Sequence, residues 1–198
     1  EEAAAERADM DRLEPRFLTH PTLALSQSKD VISSMALKAE ESVSSAIAAR
    51  REYDKDLIKK VLDLEGTLDR YEDKLGNYLS KITAADLDEE QSQEVNKYLR
   101  VLSDFERMSD HARNIGESAT EINEKKLVFS DIAQKELSIL EDAINEVTRL
   151  AIDAFINNDT NMALRVDSLE EVIDDLCDLV KTHHVERVSK QECSIEKI

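Results

Sequence analysis

With 198 residues, 41% hydrophobic and 35% charged, and only 3 Gly and 2 Pro, the chain has room for one substantial domain or two small ones, and little room for a β-rich fold. A formal net charge of −18 disfavours direct binding to nucleic acid or anionic lipid, and it suits hard divalent cations or a basic protein partner. No apolar run reaches the roughly 18 residues of a membrane span, so this chain inserts into no bilayer by itself. The two cysteines, Cys177 and Cys193, form no CxxC pair and no disulfide framework, which fits a reduced, cytoplasmic setting. The absent initiating Met and the abrupt start point to a fragment of a longer protein or a processed form.

In chain order, Glu1 to Asp11 is rich in Ala, Glu and Arg and reads as a helix that frays. Leu13 to Pro21 holds both prolines and reads as an extended connector, because each Pro biases the residue before it away from the helix. A long helix then runs from Pro21 or Thr22 to about Arg50, with Leu25, Ile32, Met35, Ala39, Val43, Ala46 and Ile47 along one stripe. A second runs from Asp54 to Ile82. Its apolar residues Leu57, Val61, Leu64, Leu68, Tyr71, Leu75 and Ile82 follow the heptad spacing of a bundle helix. Asp88 caps a third helix that reaches about Lys125, with Glu89 and Glu90 favourable in its first turn. Ser130 caps a fourth, to about Ile156; Asn157 and Asn158 break it. A fifth runs from Asp159 or Thr160 to about Val188, with Val166, Leu169, Ile173, Leu176 and Val180 as its stripe.

The chemistry concentrates on pairs of acids. The third helix carries Glu106 and Asp110 four residues apart, on one face, beside a lean seam of Phe105, Ser109, Ala112, Gly116 and Ala119. Like charges beside a close-packed seam are costly unless a cation sits between them. The second helix repeats the spacing with Glu65 and Asp69, and the fifth with Glu170 and Asp174. In all three the pair directly follows two seam positions, Leu64 and Leu68, Phe105 and Ser109, and Leu169 and Ile173. This common phase supports a duplication in which a sixth helix is missing. Glu65 and Asp69 facing Glu106 and Asp110 would bring four carboxylates to one patch. Such oxygen ligands favour Mg, Ca, Mn or iron over thiolate-preferring metals. The Glu-x-x-His of diiron bundles is absent at these places, and a tetrahedral Cys/His zinc site has no support.

The stretch D-F-E-R-M-S-D-H-A-R-N-I-G-E-S-A resembles the signature helix of PhoU domains, with its E-R-x-x-D-H-x-x-N-I core. L-E-G-T-L-D resembles that family's acidic motif on the preceding helix. The connector L-E-P-R-F-L-T-H-P-T-L-A-L resembles the segment after the membrane domain of type II-related bacterial sodium–phosphate cotransporters. The resemblance implies an all-α, antiparallel long-helix bundle of two three-helix repeats, here with the last helix missing. A connector at 1–20 would precede a first repeat at 21–127 and an incomplete second at 128–198. It implies a metal cluster (Fe, Mn, Mg or Zn) on Glu65, Asp69, Glu106 and Asp110, and a second begun by Glu170 and Asp174 and completed, if at all, by another molecule. It also implies a regulatory role, at the cytoplasmic face of the plasma membrane, toward a transporter membrane domain or another phosphate-transport protein. A homo-oligomer is compatible with it. Where the family commonly has Ile before a small residue, this chain has Met108 before Ser109.

Two other readings compete. A metal-assisted hydrolase or oxidase would need a base in the site, and His111 points about 100° away from Asp110 round the helix. A metal-free scaffold would leave the acid pairs as solvated faces. His183 and His184 read as solvated residues at a helix C-terminus, Arg107 and Arg113 as charge balance or packing, and Cys177 as an edge of the core.

Overall fold

The computed structural model describes residues 2–190, so Cys193 and the end of the polar tail lie outside the described residues. It is all-helical: α1 (Glu2–Arg12), a 3-10 turn (Pro15–Thr19), α2 (Pro21–Arg51), α3 (Lys55–Ile82), α4 (Glu89–Glu124), α5 (Asp131–Asn157) and α6 (Thr160–Ser189). The helix starts follow from side chains that satisfy the first free amides. Asp54 accepts from the Asp56 and Leu57 amides at 2.7 and 3.4 Å. Asp88 and Gln91 form a reciprocal capping box on α4, while Ser130 and Asp159 cap α5 and α6. Asn158 closes α5 in the left-handed region, at φ 53°, which Asn tolerates better than most residues.

Two expectations for the N-terminal segment are corrected. The connector is not extended throughout: Glu14 is, as a residue before proline should be, but Pro15 then opens a 3-10 turn. The first helix is also docked onto α3. Arg70 binds Glu6 through two nitrogens at 2.7 and 2.9 Å, and the Tyr71 hydroxyl donates to Asp9 at 2.7 Å. Leu13 is buried, and Tyr78 donates to the Glu14 carbonyl at 3.0 Å.

The core is built around α2, which packs against α1, α3, α4 and α5. Its many small residues allow this: Ala24, Ser28, Ala36, Ala39, Ser42, Ala46 and Ala49 are all buried. A helix covered on several sides must be apolar or small nearly all round. Tyr71, Leu75, Leu79 and Ile82 of α3 and Val95, Tyr98, Leu102 and Phe105 of α4 fill the main cluster. The α4 seam is lean as its sequence predicts, with Ser109, Ala112, Gly116 and Ala119 buried. The Gln91 amide donates to Thr22 at 3.1 Å, so α2 and α4 begin at the same end, with α3 antiparallel to both.

Helix α5 lies on α2. Buried Glu141 is gripped by Arg50 and Arg51 of α2, the latter at 2.8 Å, and Arg51 also reaches Asp142 at 2.6 Å. At its other end the Phe155 ring meets Phe105 edge-on, centroids 5.4 Å apart. Helix α6 packs on α5. Here the two histidines depart from expectation. His183 Nδ1 lies 2.6 Å from Glu136 of α5, and Arg187 binds the same carboxylate at 2.8 Å. The helix end is tied to its neighbour because the half-buried Glu136 carboxylate finds its partners there, the Arg187 guanidinium and the His183 ring.

Candidate functional site

The edge between α3 and α4 is where the predicted acids meet. On α3, Glu65 is half-buried and Asp69 exposed; on α4, Glu106 is half-buried and Asp110 exposed. Two bonds across the helices bracket them. Ser103 of α4 donates to Glu72 of α3 at 3.0 Å, and Arg113 of α4 donates to Glu65 at 2.8 Å. The lean seam lets the two helices approach this closely.

Electrostatics shows that the four acids share a field. Asp69 is exposed overall, but partial desolvation against the helix edge pushes its carboxyl above its ordinary range, and the charges of Glu65, Asp110, Glu72 and Asp73 push further. Burial also raises Glu106, followed by the charges of Asp110 and Glu72, a hydrogen bond with Asp110, and the charge of Asp69. Each of the two therefore resists ionising, first because it is partly withdrawn from water and then because acidic neighbours surround it. One cation is already at the edge: Arg113 bridges Glu65 and Glu117 of its own helix at 2.8 and 3.0 Å. Among the described residues, no three Asp, Glu, His or Cys side chains converge closely enough to hold one ion. The edge is an acidic patch with hard oxygen donors, in side-chain positions that do not form a coordination shell.

Glu170 and Asp174 are exposed on α6, whose packing is on α5, so they do not join the α3–α4 edge. His111 is exposed on α4. Sequence reasoning missed Glu72 and Asp73 as members of the patch. The signal was there for Glu72, which stands seven residues, about two turns, beyond Glu65 and so on the same face.

Residues 32–119 match the family described as PhoU domain, a span that covers most of α2, all of α3 and α4 up to Ala119. Over that stretch, which is less than half of the chain, the sequence is similar to the PhoU domain family. The matched stretch contains Glu65, Asp69, Glu106 and Asp110, whereas Glu170 and Asp174 fall outside it. The chain is similar to the phosphate-specific transport system accessory protein PhoU homolog 1 of Thermotoga maritima, 26% identical over 169 residues, covering 85% of this chain and 72% of the relative. It is also similar to the phosphate-specific transport system accessory protein PhoU homolog of Aquifex aeolicus, 23% identical over 155 residues, covering 77% and 68%. No solved structure matches the chain. Among the described residues no helix is long and apolar enough to cross a membrane.

Proposed function

We propose that this chain regulates phosphate transport rather than catalysing a reaction. The observation that carries the reading is the PhoU match over residues 32–119, joined by two relatives named as accessory proteins of phosphate-specific transport systems. In its finer form, the chain is the cytoplasmic PhoU-like part of a sodium-dependent phosphate transporter, acting on that transporter's membrane domain. The connector motif at Leu13 to Leu25 supports this form. Residues 21–127 are one three-helix repeat, and 128–198 an incomplete second, two helices plus a tail; the packing of α6 on α5 supports that division.

The α3–α4 edge takes a hard cation. The support is chemical: the donors are carboxylate oxygens, and the mutual repulsion that raises Asp69 and Glu106 is what a divalent ion would relieve. Glu65, Asp69, Glu106 and Asp110 would hold it, after Glu65 exchanges Arg113 for the ion. Its charge would then add a bridge between α3 and α4 beside the Ser103–Glu72 bond.

The test has two arms. Expression of the chain in cells under phosphate limitation is expected to change the rate of radiolabelled phosphate uptake; an unchanged rate, with the chain present and folded, sinks the regulatory reading. Elemental analysis of protein purified with Mn, Fe, Mg and Zn is expected to find bound ion in the wild type and little in Glu106→Gln/Asp110→Asn. Equal metal content in both removes the ion from the site.

A further inference from the structure

Beside the acidic edge, nearer the start of α3 and the end of α4, lies an open groove of about 490 Å³. Ile58, Val61 and Leu62 of α3 and Gly116 of α4 form its apolar lining, and Leu62 is 45% exposed. Glu117, Glu121 and Glu124 stand along the α4 side; Arg113 at one end holds Glu117 and Lys125 holds Glu121, so three carboxylates meet two cations and the rim keeps a negative surplus.

Gly116 is the residue that needs explaining. It stands inside the 36-residue helix α4, where glycine is the poorest helix former after proline. Packing within the chain does not demand it. A Cβ built there would lie 3.6 Å from Ile58 Cδ1 and 3.8 Å from Val61 Cγ1, ordinary van der Waals contact. The missing side chain leaves the groove deep where Ile58 and Val61 line it. From Arg113 to Glu124 the groove follows α4 for eleven residues, roughly 16 Å at the helical rise. That length suits apolar anchors at i, i+4 and i+7 of a docked helix.

We propose that this groove docks a basic amphipathic helix of a protein partner, aliphatic side chains seated over Gly116 and Lys or Arg side chains against Glu117, Glu121 and Glu124. Charge selects the occupant. A second copy would bring another chain of net charge −18, and an anionic bilayer would meet the same carboxylates. A cationic helix gains from both features. The inference rests on the regulatory reading, for which it supplies the contact surface, and its test is separate from metal uptake and phosphate flux.

The probe is a fluorescently labelled synthetic peptide with Leu at i, i+4 and i+7 and Lys on the remaining face, titrated with the whole chain and read by anisotropy. Binding is expected for the wild type. It should weaken at least tenfold in Gly116→Leu, which fills the groove, and in Glu117→Lys/Glu121→Lys/Glu124→Lys. It should be lost when the peptide's Leu become Ser or its Lys become Glu. Should Gly116→Leu fail to fold by circular dichroism, Leu62→Lys places a cation in the groove from an exposed position, opposing both the peptide's Leu and its Lys, and is expected to weaken binding equally. Unchanged affinity in the folded groove variants would place the peptide on the diffuse acidic surface and overturn the proposal. So would a wild-type dimer on gel filtration that Gly116→Leu converts to monomer, which would give the groove to a second copy. If peptide binding fails while expression still changes phosphate uptake, the groove proposal falls and the regulatory reading stands.

Discussion

The α2–α3–α4 bundle and the α5–α6 hairpin are written in the same sequence language, yet they bury different amounts. Helices α3 and α4 place eight residues each in the interior, from Val61 to Ile82 and from Val95 to Ala119. Among the described residues α5 buries Ala133, Glu141, Ile152 and Ala154, and α6 buries Arg187. Large exposed apolar residues lean the other way: Val128, Ile132, Ile139, Leu164, Val172, Leu179 and Val185 lie in the second region, against Leu23, Leu37 and Leu62 in the first. The stripe Val166, Leu169, Ile173, Leu176 and Val180 is only half-buried. Heptad spacing fixes which face of a helix is apolar, but burial depends on how many neighbours that face meets. Two helices can cover one stripe of each other; α2 and α3 are closed over by α4.

The largest test of this difference compares equivalent truncations. Leu75→Ala, in the fully buried part of α3, is expected to cost about 4 kcal/mol in urea unfolding, through lost transfer energy and the cavity left behind. Ile173→Ala, on the half-buried stripe of α6, is expected to cost about 1 kcal/mol, because its side chain remains partly in water when folded. Equal losses would mean that the hairpin is as tightly packed as the bundle, and the comparison would fail.

The joint between the regions gives the next effect. Glu141 is buried and pairs with both Arg50 and Arg51. Glu141→Ala strands the half-buried Arg50 guanidinium and is expected to cost about 3 kcal/mol. Asp142→Ala, which removes only the exposed partner of Arg51, is expected to cost under about 1 kcal/mol. Hydrogen exchange should show where the loss falls: α5 and α6 amides should exchange faster in Glu141→Ala, with α3 and α4 protected nearly as in the wild type. Uniform acceleration would show that the two regions unfold as one unit.

A smaller and more local contrast comes from the caps. Asp54→Ala and Asp159→Ala each remove a side-chain acceptor from a helix start, worth about 1 kcal/mol. Because α3 is held in the bundle along its length, Asp54→Ala should lower the melting temperature of the whole bundle. Asp159→Ala should instead appear as faster exchange in the first turn of α6. An equal, global shift from both would count against independent behaviour of the hairpin.

What was legible in the sequence divides along the same line between local and distant causes. Asp54, Asp88, Ser130 and Asp159 mark helix starts because a cap acts within three residues. The acid pairs were legible because four residues make one helical turn, and the lean α4 seam because its small residues recur on one face. The docking of α1 was not legible. Its anchors, Glu6 on Arg70 and Asp9 on Tyr71, are polar pairs 64 and 62 residues apart with no periodic trace. The tie between His183 and Glu136, 47 residues apart, was hidden for the same reason. At the site, the sequence placed the acids but not the cation already among them, because the bond from Arg113 to Glu65 exists only once α3 and α4 pack.

The smallest effect is also the one that separates the regions by sign. Asp69 and Glu106 titrate above their ordinary values of 3.8 and 4.5. The folded form therefore holds these protons more tightly than the unfolded form. Their favourable contribution is present below the ordinary values and is lost as pH rises through the folded ones. Glu136 in the hairpin is the opposite case. Burial alone would raise it, but hydrogen bonds from His183 and Arg187 outweigh burial and hold it below 4.5. Its contribution is present above the ordinary value and is lost as pH falls through the folded one. At neutral pH, Glu106→Gln is expected to raise the melting temperature by relieving repulsion, and that gain should vanish near pH 4, where the wild-type carboxyl is itself protonated. Glu136→Gln is expected to lower the melting temperature at neutral pH, and its deficit should shrink as pH falls below 4.5. Melting curves from pH 7 to pH 3 would then bring the two variants toward the wild type from opposite sides. Replacing sodium by magnesium at matched ionic strength should also erase the Glu106→Gln gain, by stabilising the wild-type edge, and leave the Glu136→Gln deficit in place. A magnesium response in the hairpin variant alone would move the cation-sensitive carboxylates from α3–α4 to α5–α6.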